Sequence, residues 1–266
     1  MSISHLAVID KKAQIGQNVS IGPYAIVDSD VQIGDNCVIH AHANIMNGTR
    51  IGEGTTIYQG AILGSEPQDL KYKGEHTVLN IGKNVSIREY CTINKGTAAS
   101  GQTIIEDEAL IMAYVHVAHD CHIRRHAIIA NSVNIAGHVH IDDYAIIGGM
   151  TAVQQFVRIG ESSFIGGGTL VRKDVPPFIK VAREPLSYVG VNSVGLRRRG
   201  FTVESINKIK DVYRILLVKY KNISLALEEI DAHLPESDEK YAVMTFIGKS
   251  NQGLIRGFRQ LRGNDY

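Results

Sequence analysis

From Ile9 to Val171 the chain places an aliphatic residue at every sixth position. Of the 28 positions in that series, only Asp69, Glu75 and Ala99 are not Ile, Val or Leu. Neither a helical period of 3.6 nor a strand period of 2 produces this spacing. The residue two before each aliphatic is small: Ala13, Val19, Ala25, Val31, Cys37 and Ala43 early on, Ala109, Val115, Cys121, Ala127 and Val133 later. Glycine often follows the aliphatic, at Gly16, Gly22, Gly34, Gly52, Gly64, Gly82, Gly148, Gly160 and Gly166. It is expected there to supply a turn conformation that a Cβ would penalise. A hexapeptide that makes one short strand and one turn accounts for the whole pattern. Three of them close a triangular coil of about 18 residues, and coils stack at the inter-strand spacing of ~4.8 Å. One coil cannot bury its own core, whereas about ten stacked coils can. The predicted fold is mainly β, a parallel β-helix of hexapeptide repeats.

The period is interrupted twice without losing register. Asp69 and Glu75 fall in a polar excursion over 66–77, and Ala99 in a smaller one over 96–102. A polar loop hung on a rigid scaffold is a usual seat of function, although a plain surface excursion reads the same way. The prism is expected over 1–177, ending at Asp174-Val-Pro-Pro177. Residues 178–266 are expected to form a connector and a small helical domain. Thr202 can cap a helix from Val203 to about Tyr220 with Ile206, Ile209, Val212, Tyr213 and Leu216 on one face. Further helices are expected over 225–234, stopped by Pro235, and over 239–247.

Composition narrows the functional classes. With 28 basic and 27 acidic residues among 266 the net charge is +1, which gives no whole-chain attraction to nucleic acid or to an anionic membrane. The basic run Arg197-Arg198-Arg199 is too short for a nucleic-acid arm; it reads as a solvated patch at the start of a helix or as an anion site. The N-terminus lacks the pattern of a signal peptide, and no stretch approaches the ~18 apolar residues needed to span a bilayer. Cys37, Cys91 and Cys121 have no metal-type spacing and sit at the small interior position, as core-filling thiols. A cytoplasmic protein without stable membrane insertion is the expectation.

Candidate chemistry concentrates in the histidines. His116, His119, His122 and His126 cluster, followed by His138 and His140. Residues one coil apart stack, so His119 lies beside Gly137, Asp120 beside His138, and His122 beside His140. A solvated histidine surface is one reading. A metal site built from His116, His122 and His140 is a second, resembling the prisms of the gamma-class carbonic anhydrases. The third is a general base: His119 accepts a proton from a substrate hydroxyl, Asp120 fixes its tautomer, and Gly137 offers an unobstructed N–H to an oxyanion.

At these residues the chain resembles the UDP-N-acetylglucosamine acyltransferases of lipid A synthesis, over roughly residues 7 to 260. The resemblance is carried by Gln68-Asp-Leu-Lys-Tyr72, His116-Val-Ala-His-Asp-Cys121, Ala136-Gly-His138, Ile146-Ile-Gly-Gly-Met-Thr-Ala-Val153, Asp174-Val-Pro-Pro177 and Gly195-Leu-Arg-Arg-Arg-Gly-Phe201. It implies a left-handed winding and transfer of an (R)-3-hydroxyacyl chain from acyl carrier protein to the 3-hydroxyl of UDP-N-acetylglucosamine, with no cofactor and no metal. It implies His119 as base, Asp120 as its partner and Gly137 as oxyanion donor. Gln68, Asp69 and Lys71 would hold sugar and phosphate, and His116 and His138 would line the cleft. Gln155, Asn192, Arg198 and Arg199 would contact the nucleotide sugar, and Gly167 would line the acyl groove. It further implies a homotrimer with His119 in a cleft between neighbours, and a basic rim for acyl carrier protein, for which Arg256, Arg259 and Arg262 are candidates. Three places depart from the family's pattern: Gln154 where histidine is usual, Val194 where some relatives carry glutamate, and Ala182-Arg-Glu-Pro-Leu186. The N-acyltransferases of the same pathway, the carbonic anhydrase type and a non-catalytic β-helical scaffold are the competing classes.

Overall fold

Each hexapeptide in the computed structural model, which describes residues 2–220 and 222–257, forms a strand of two to four residues followed by a turn. Among the described residues these strands make three sheets of 11, 9 and 8 strands. Aliphatic stacks on aliphatic: Ile15 pairs with Ile33 and Ile33 with Ile51, and Ile111 with Ile129 and Ile129 with Ile147. These columns and the small residues between them form one continuous buried core, the three unpaired cysteines included. The winding is that of a left-handed parallel β-helix. In the 11-strand sheet only Ser187–Val191 runs antiparallel, against Ile179–Ala182, so ten parallel levels remain.

Three corners separate the sheets. Asn18, Asn36, Asn84, His126, Tyr144 and Ser162 stand along the first. Tyr24, His42, Tyr90, Tyr114, Ser132 and Met150 stand along the second, and Asp120, His138 and Phe156 along the third. All of them have φ between 53° and 66°. The left-handed bend is therefore borne mostly by Asn, His and aromatic residues. The glycines after the aliphatics were expected to bear it, and of those only Gly64 does, at φ 79°. The others are selected by contact between coils. A Cβ on Gly22 would lie 2.7 Å from Ala41 N, one on Gly34 2.7 Å from Glu53 N, and one on Gly148 2.4 Å from Gly167 N. Such approaches leave no room for a side chain.

The region after the prism contains more regular structure than its pattern predicts. The hairpin Ile179–Ala182 and Ser187–Val191 continues the sheet, with the 182–186 segment at its turn, and a short helix α1 spans Ser193–Arg198. The three arginines thus close a helix instead of starting one. Helix α2, Val203–Tyr213, is capped by Thr202, whose hydroxyl accepts from Ser205 N at 3.1 Å. The predicted continuation to Tyr220 widens into a π-helix over Arg214–Lys219 that buries Ile215, Leu216 and Leu217. Helices α3, Ile223–His233, and α4, Asp238–Gly248, follow as expected. Several polar contacts join the C-terminal region to the prism, among them those of Tyr213 and Asp174. The buried Tyr213 hydroxyl donates to Pro177 O at 2.6 Å. The buried Asp174 accepts from Arg158 N at 2.7 Å and from Ser250 Oγ at 2.6 Å. Arg259 and Arg262 lie outside the described residues. No described helix is long and apolar enough to cross a membrane.

Candidate active site

His119 and Asp120 are the two turn residues of one coil at the third corner. His119 Nδ1 lies 2.8 Å from Asp120 Oδ2, and both residues are only 5% exposed. The carboxylate is further saturated by the 96–102 excursion. Thr97 N donates to Oδ1 at 3.0 Å, Thr97 Oγ1 to Oδ2 at 2.6 Å, and Ser100 Oγ to Oδ1 at very short range. Burial alone would push this carboxyl up, but the Ser100 and Thr97 hydroxyls and the His119 ring outweigh it and hold it at about 2. Asp120 is then an acceptor only. Nδ1 of His119 must carry the proton, and the neutral ring presents its lone pair at Nε2.

Gly137 lies under that ring. A Cβ added there would stand 2.7 Å from His119 Cε1, 2.9 Å from Nε2 and 3.2 Å from Nδ1. At some turns of the prism the amide in this position is taken: Gln17 N, Lys83 N and Arg125 N each donate to an aspartate Oδ1 of the next coil, Asp35, Asp107 and Asp143. Above Gly137 the corresponding residue is Gln155, and among the described residues no acceptor takes the Gly137 N–H. An N–H left free beside a basic nitrogen is what an oxyanion site requires.

His138 meets His119 edge-on at 5.1 Å and stacks on Phe156 at 4.6 Å. Burial lowers its pKa, as does His119, while Asp120 and, from the 66–77 excursion, Asp69 pull the other way. His116 points outward from the adjoining sheet with Nδ1 2.8 Å from Thr92 Oγ1, and burial lowers its pKa too. The 66–77 excursion reaches this corner: Asp69 accepts from Lys71 N at 2.9 Å, and Glu75 Oε1 accepts from Ala98 N, in the second excursion, at 3.0 Å. Gln68 and Lys71 are exposed beside them, as are Gln154 and Gln155.

Other predicted residues lie elsewhere on the same chain. Asn192 is a buried N-cap of α1: its Oδ1 accepts from Gly195 N at 3.3 Å and its Nδ2 donates to Ser162 O at 3.0 Å. Arg199 lies over the Tyr144 ring at 5.5 Å, and burial lowers its pKa. Tyr144 and Ser162 belong to the first corner, so these residues and the exposed Arg198 stand one prism edge away from His119. Gly167 is at the second corner, packed on Gly149. The metal grouping of His116 with His122 and His140 does not form, because His116 faces out of a different sheet from the other two. Among the described residues the group compact enough for an ion is His119, Asp120 and His138. There the carboxylate oxygens are already occupied by four protein donors.

Thr97, Ser100 and Thr103, whose Oγ1 accepts from Asp120 N at 2.9 Å, were not singled out from the sequence. The available signal was a run of hydroxyl residues placed one coil before the His-Asp pair.

Residues 174–255 match the second domain of the UDP-N-acetylglucosamine O-acyltransferase family, and residues 12–46 and 102–137 match the bacterial transferase hexapeptide repeat. The acyl-[acyl-carrier-protein]–UDP-N-acetylglucosamine O-acyltransferase of Chlorobium phaeobacteroides is 57% identical over 95% of this chain and 96% of its own. That of Chlorobaculum tepidum is 55% identical over 97% and 98%. Among solved structures, the UDP-N-acetylglucosamine acyltransferase of Bacteroides fragilis superposes with a TM-score of 0.94 at 48% identity, covering 95% of this chain and 99% of that one. The Arabidopsis UDP-N-acetylglucosamine acyltransferase gives 0.85 at 31% identity, covering 96% and 100%.

Proposed function

The chain belongs to the UDP-N-acetylglucosamine O-acyltransferase family, and from that membership we propose that it moves a 3-hydroxyacyl chain from acyl carrier protein to the 3-hydroxyl of UDP-N-acetylglucosamine, the first step of lipid A synthesis, with His119 as general base. The observation that carries the mechanism is the buried His119, fixed at Nδ1 by Asp120 and seated on Gly137. Nε2 takes the proton of the sugar 3-hydroxyl as its oxygen attacks the thioester carbonyl. The tetrahedral oxyanion accepts the Gly137 N–H. Its collapse breaks the carbon–sulfur bond, and the departing phosphopantetheine thiolate takes the proton back from the imidazolium. Asp120 stays ionised throughout and stabilises the imidazolium in between.

Substrate contacts follow from the surroundings. Gln68, Asp69 and Lys71 project beside the base and hold sugar and phosphate, with His116 and His138 lining the cleft. The column His116, Asn134, Ala152 and Leu170 runs along one outer face from that cleft. Its apolar upper end and the side-chain-free surface at Gly167 suit an acyl chain.

The arginines reach the base only from a second copy, and the outer faces support a homotrimer. The face between the second and third corners shows Val8, Ile26, Ile62, Ala152 and Leu170 beside Asn44, Thr92, His116 and Asn134. That between the first and second shows Val38, Leu110, Ile128, Ile146 and Phe164 beside Ser20, Thr56 and Ser86. The remaining face shows Gln14, Gln32, Arg50, Asn80, His122, His140 and Arg158 beside the aliphatic Ile104. Packing the two faces richer in aliphatic side chains, from neighbouring chains, around the tyrosine-rich second corner closes a ring. It also sets the first corner of one chain against the third corner of the next. Asn192, Arg198, Arg199 and Gln155 then complete the nucleotide-sugar site between chains.

The test is transfer from defined 3-hydroxyacyl carrier proteins to UDP-N-acetylglucosamine, read by mass spectrometry. His119→Ala should fold and assemble yet lose turnover by about 10²–10⁴, the usual contribution of a general base. Near-normal turnover in purified His119→Ala protein would refute the assignment.

A further inference from the structure

The 96–102 excursion leaves the prism one coil before the His-Asp pair, and its polar groups turn inward. Thr97 is buried, and it gives both its amide and its hydroxyl to the two oxygens of Asp120, at 3.0 and 2.6 Å. Ser100 gives its hydroxyl to Oδ1, and Thr103 receives the Asp120 amide at 2.9 Å. The excursion closes on itself so tightly that a Cβ on Gly96 would lie 2.2 Å from Gln102 N, and Gly101 N donates to Thr97 O at 2.7 Å. Outside the pair itself, then, the groups that fix the carboxylate come from this coil edge. A carboxylate with four donors around it cannot rotate freely. Its orientation sets the orientation of the imidazole that donates to it.

The excursion is also tied to the other loop. Ala98 N donates to Glu75 Oε1 at 3.0 Å, and Glu75 Oε2 accepts Lys73 N at 2.8 Å, two residues past Lys71. A chain of contacts therefore runs from Lys73 through Glu75 and Ala98 to Thr97, Asp120 and His119. Charged and titratable groups facing Asp120 are His119 and His138, with Asp69 acting on His138 from the 66–77 loop.

We propose that Thr97 and Ser100 are positioning residues for the acyl transfer: they orient Asp120, and through it His119, and the Glu75–Ala98 contact links that orientation to the 66–77 loop. This rests on the reading of His119 and Asp120 as base and partner. Thr97 is buried against the carboxylate of Asp120 and acts on the reaction through it. Its removal should slow the chemical step and leave acceptor binding alone.

The experiment is a mutant cycle on the intact enzyme, measuring kcat and KM for UDP-N-acetylglucosamine. Thr97→Val removes one hydrogen bond to a charged group and should lower kcat by roughly 10- to 100-fold, with KM changed by less than about two-fold. Thr97→Ser should restore most of it. Ser100→Ala should give a smaller loss in kcat, because that exposed hydroxyl also reaches Gln102 O at 2.8 Å. This second variant decides the matter if Thr97→Val does not fold. In an Asp120→Ala background, either substitution should cost less than about two-fold, since the group it acts through is gone. A full multiplicative loss in that background, a loss carried by KM, or unchanged kcat in both single variants overturns the proposal. Unchanged kcat in Asp120→Ala alone sinks the base assignment and the proposal together. A slow Asp120→Ala beside a normal Thr97→Val and a normal Ser100→Ala sinks the proposal only.

Discussion

Substituting Gly137 by alanine isolates the contact on which the site is built. The glycine does not have a positive φ, so the backbone accepts alanine and the strain falls on the His119 ring. The new Cβ would stand 2.7 Å from Cε1. Ordinary van der Waals contact begins near 3.4 Å, so the ring must retreat by about 0.7 Å. The Cβ meets three atoms of the ring, so it pushes on the ring face and bends the 2.8 Å bond to Asp120 out of line. Outright loss of a hydrogen bond to a charged group, the upper bound here, costs about 1.5–3 kcal/mol, or roughly 10- to 150-fold in rate. Misplacing a reacting group by ~1 Å can cost about 10²-fold. The combined expectation is a fall in kcat of about 10²–10³, with the melting temperature lowered by only a few degrees. The assay is steady-state transfer from hydroxyacyl carrier protein, beside thermal unfolding by circular dichroism. Turnover within about three-fold of the parent, in folded protein, would show that the ring does not need its seat on Gly137.

Three further outcomes are expected. Lys71→Ala should raise the dissociation constant for UDP-N-acetylglucosamine by roughly ten-fold in calorimetric titration with the melting temperature unchanged, because Lys71 is exposed and outside the six-residue register; an unchanged constant removes it from the site. Asp120, held at about 2 against an ordinary 3.8, binds fewer protons folded than unfolded in that interval. It stabilises the fold by roughly 2 kcal/mol above about pH 5, and this increment drains away between about pH 4 and 2. Denaturation of parent and Asp120→Ala should converge over that window; parallel curves contradict the cage around the carboxylate. Tyr114→Glu puts a charge on the second corner, where Tyr114 is 61% exposed and stacks on Tyr90 at 5.5 Å. With the proposed trimer, light scattering should report dissociation together with loss of activity; an unchanged mass beside full activity contradicts the proposed packing.

The prism was readable in the sequence because its core repeats. A six-residue aliphatic column with a small residue two places earlier has one geometric solution, and the structure stacks those residues as the period requires. The glycine explanation failed for a physical reason. Sequence shows that a side chain is absent, but not whether a dihedral or a neighbouring backbone excludes it; at Gly22 and Gly34 it is the backbone of the next coil. The hairpin of Ile179–Ala182 with Ser187–Val191 and the helix Ser193–Arg198 were missed because both lie past the end of the period and are too short to show one of their own. At the site, the 18-residue spacing placed His119 on Gly137 and His122 on His140. The same spacing could not reveal what Thr97 and Ser100 do. An excursion has no register, so its inward hydrogen bonds become visible only in three dimensions.

The separation of His119 and Arg199 onto different edges of one prism has a genetic consequence. If each site takes its base from one subunit and its arginines from the next, a chain lacking the imidazole and a chain lacking the guanidinium are each dead alone but not together. Random co-assembly of equal amounts pairs an intact base with intact arginines at about a quarter of the clefts. Two inactive alleles expressed in one cell would then complement, and either one would leave the wild-type chain its full share of working clefts.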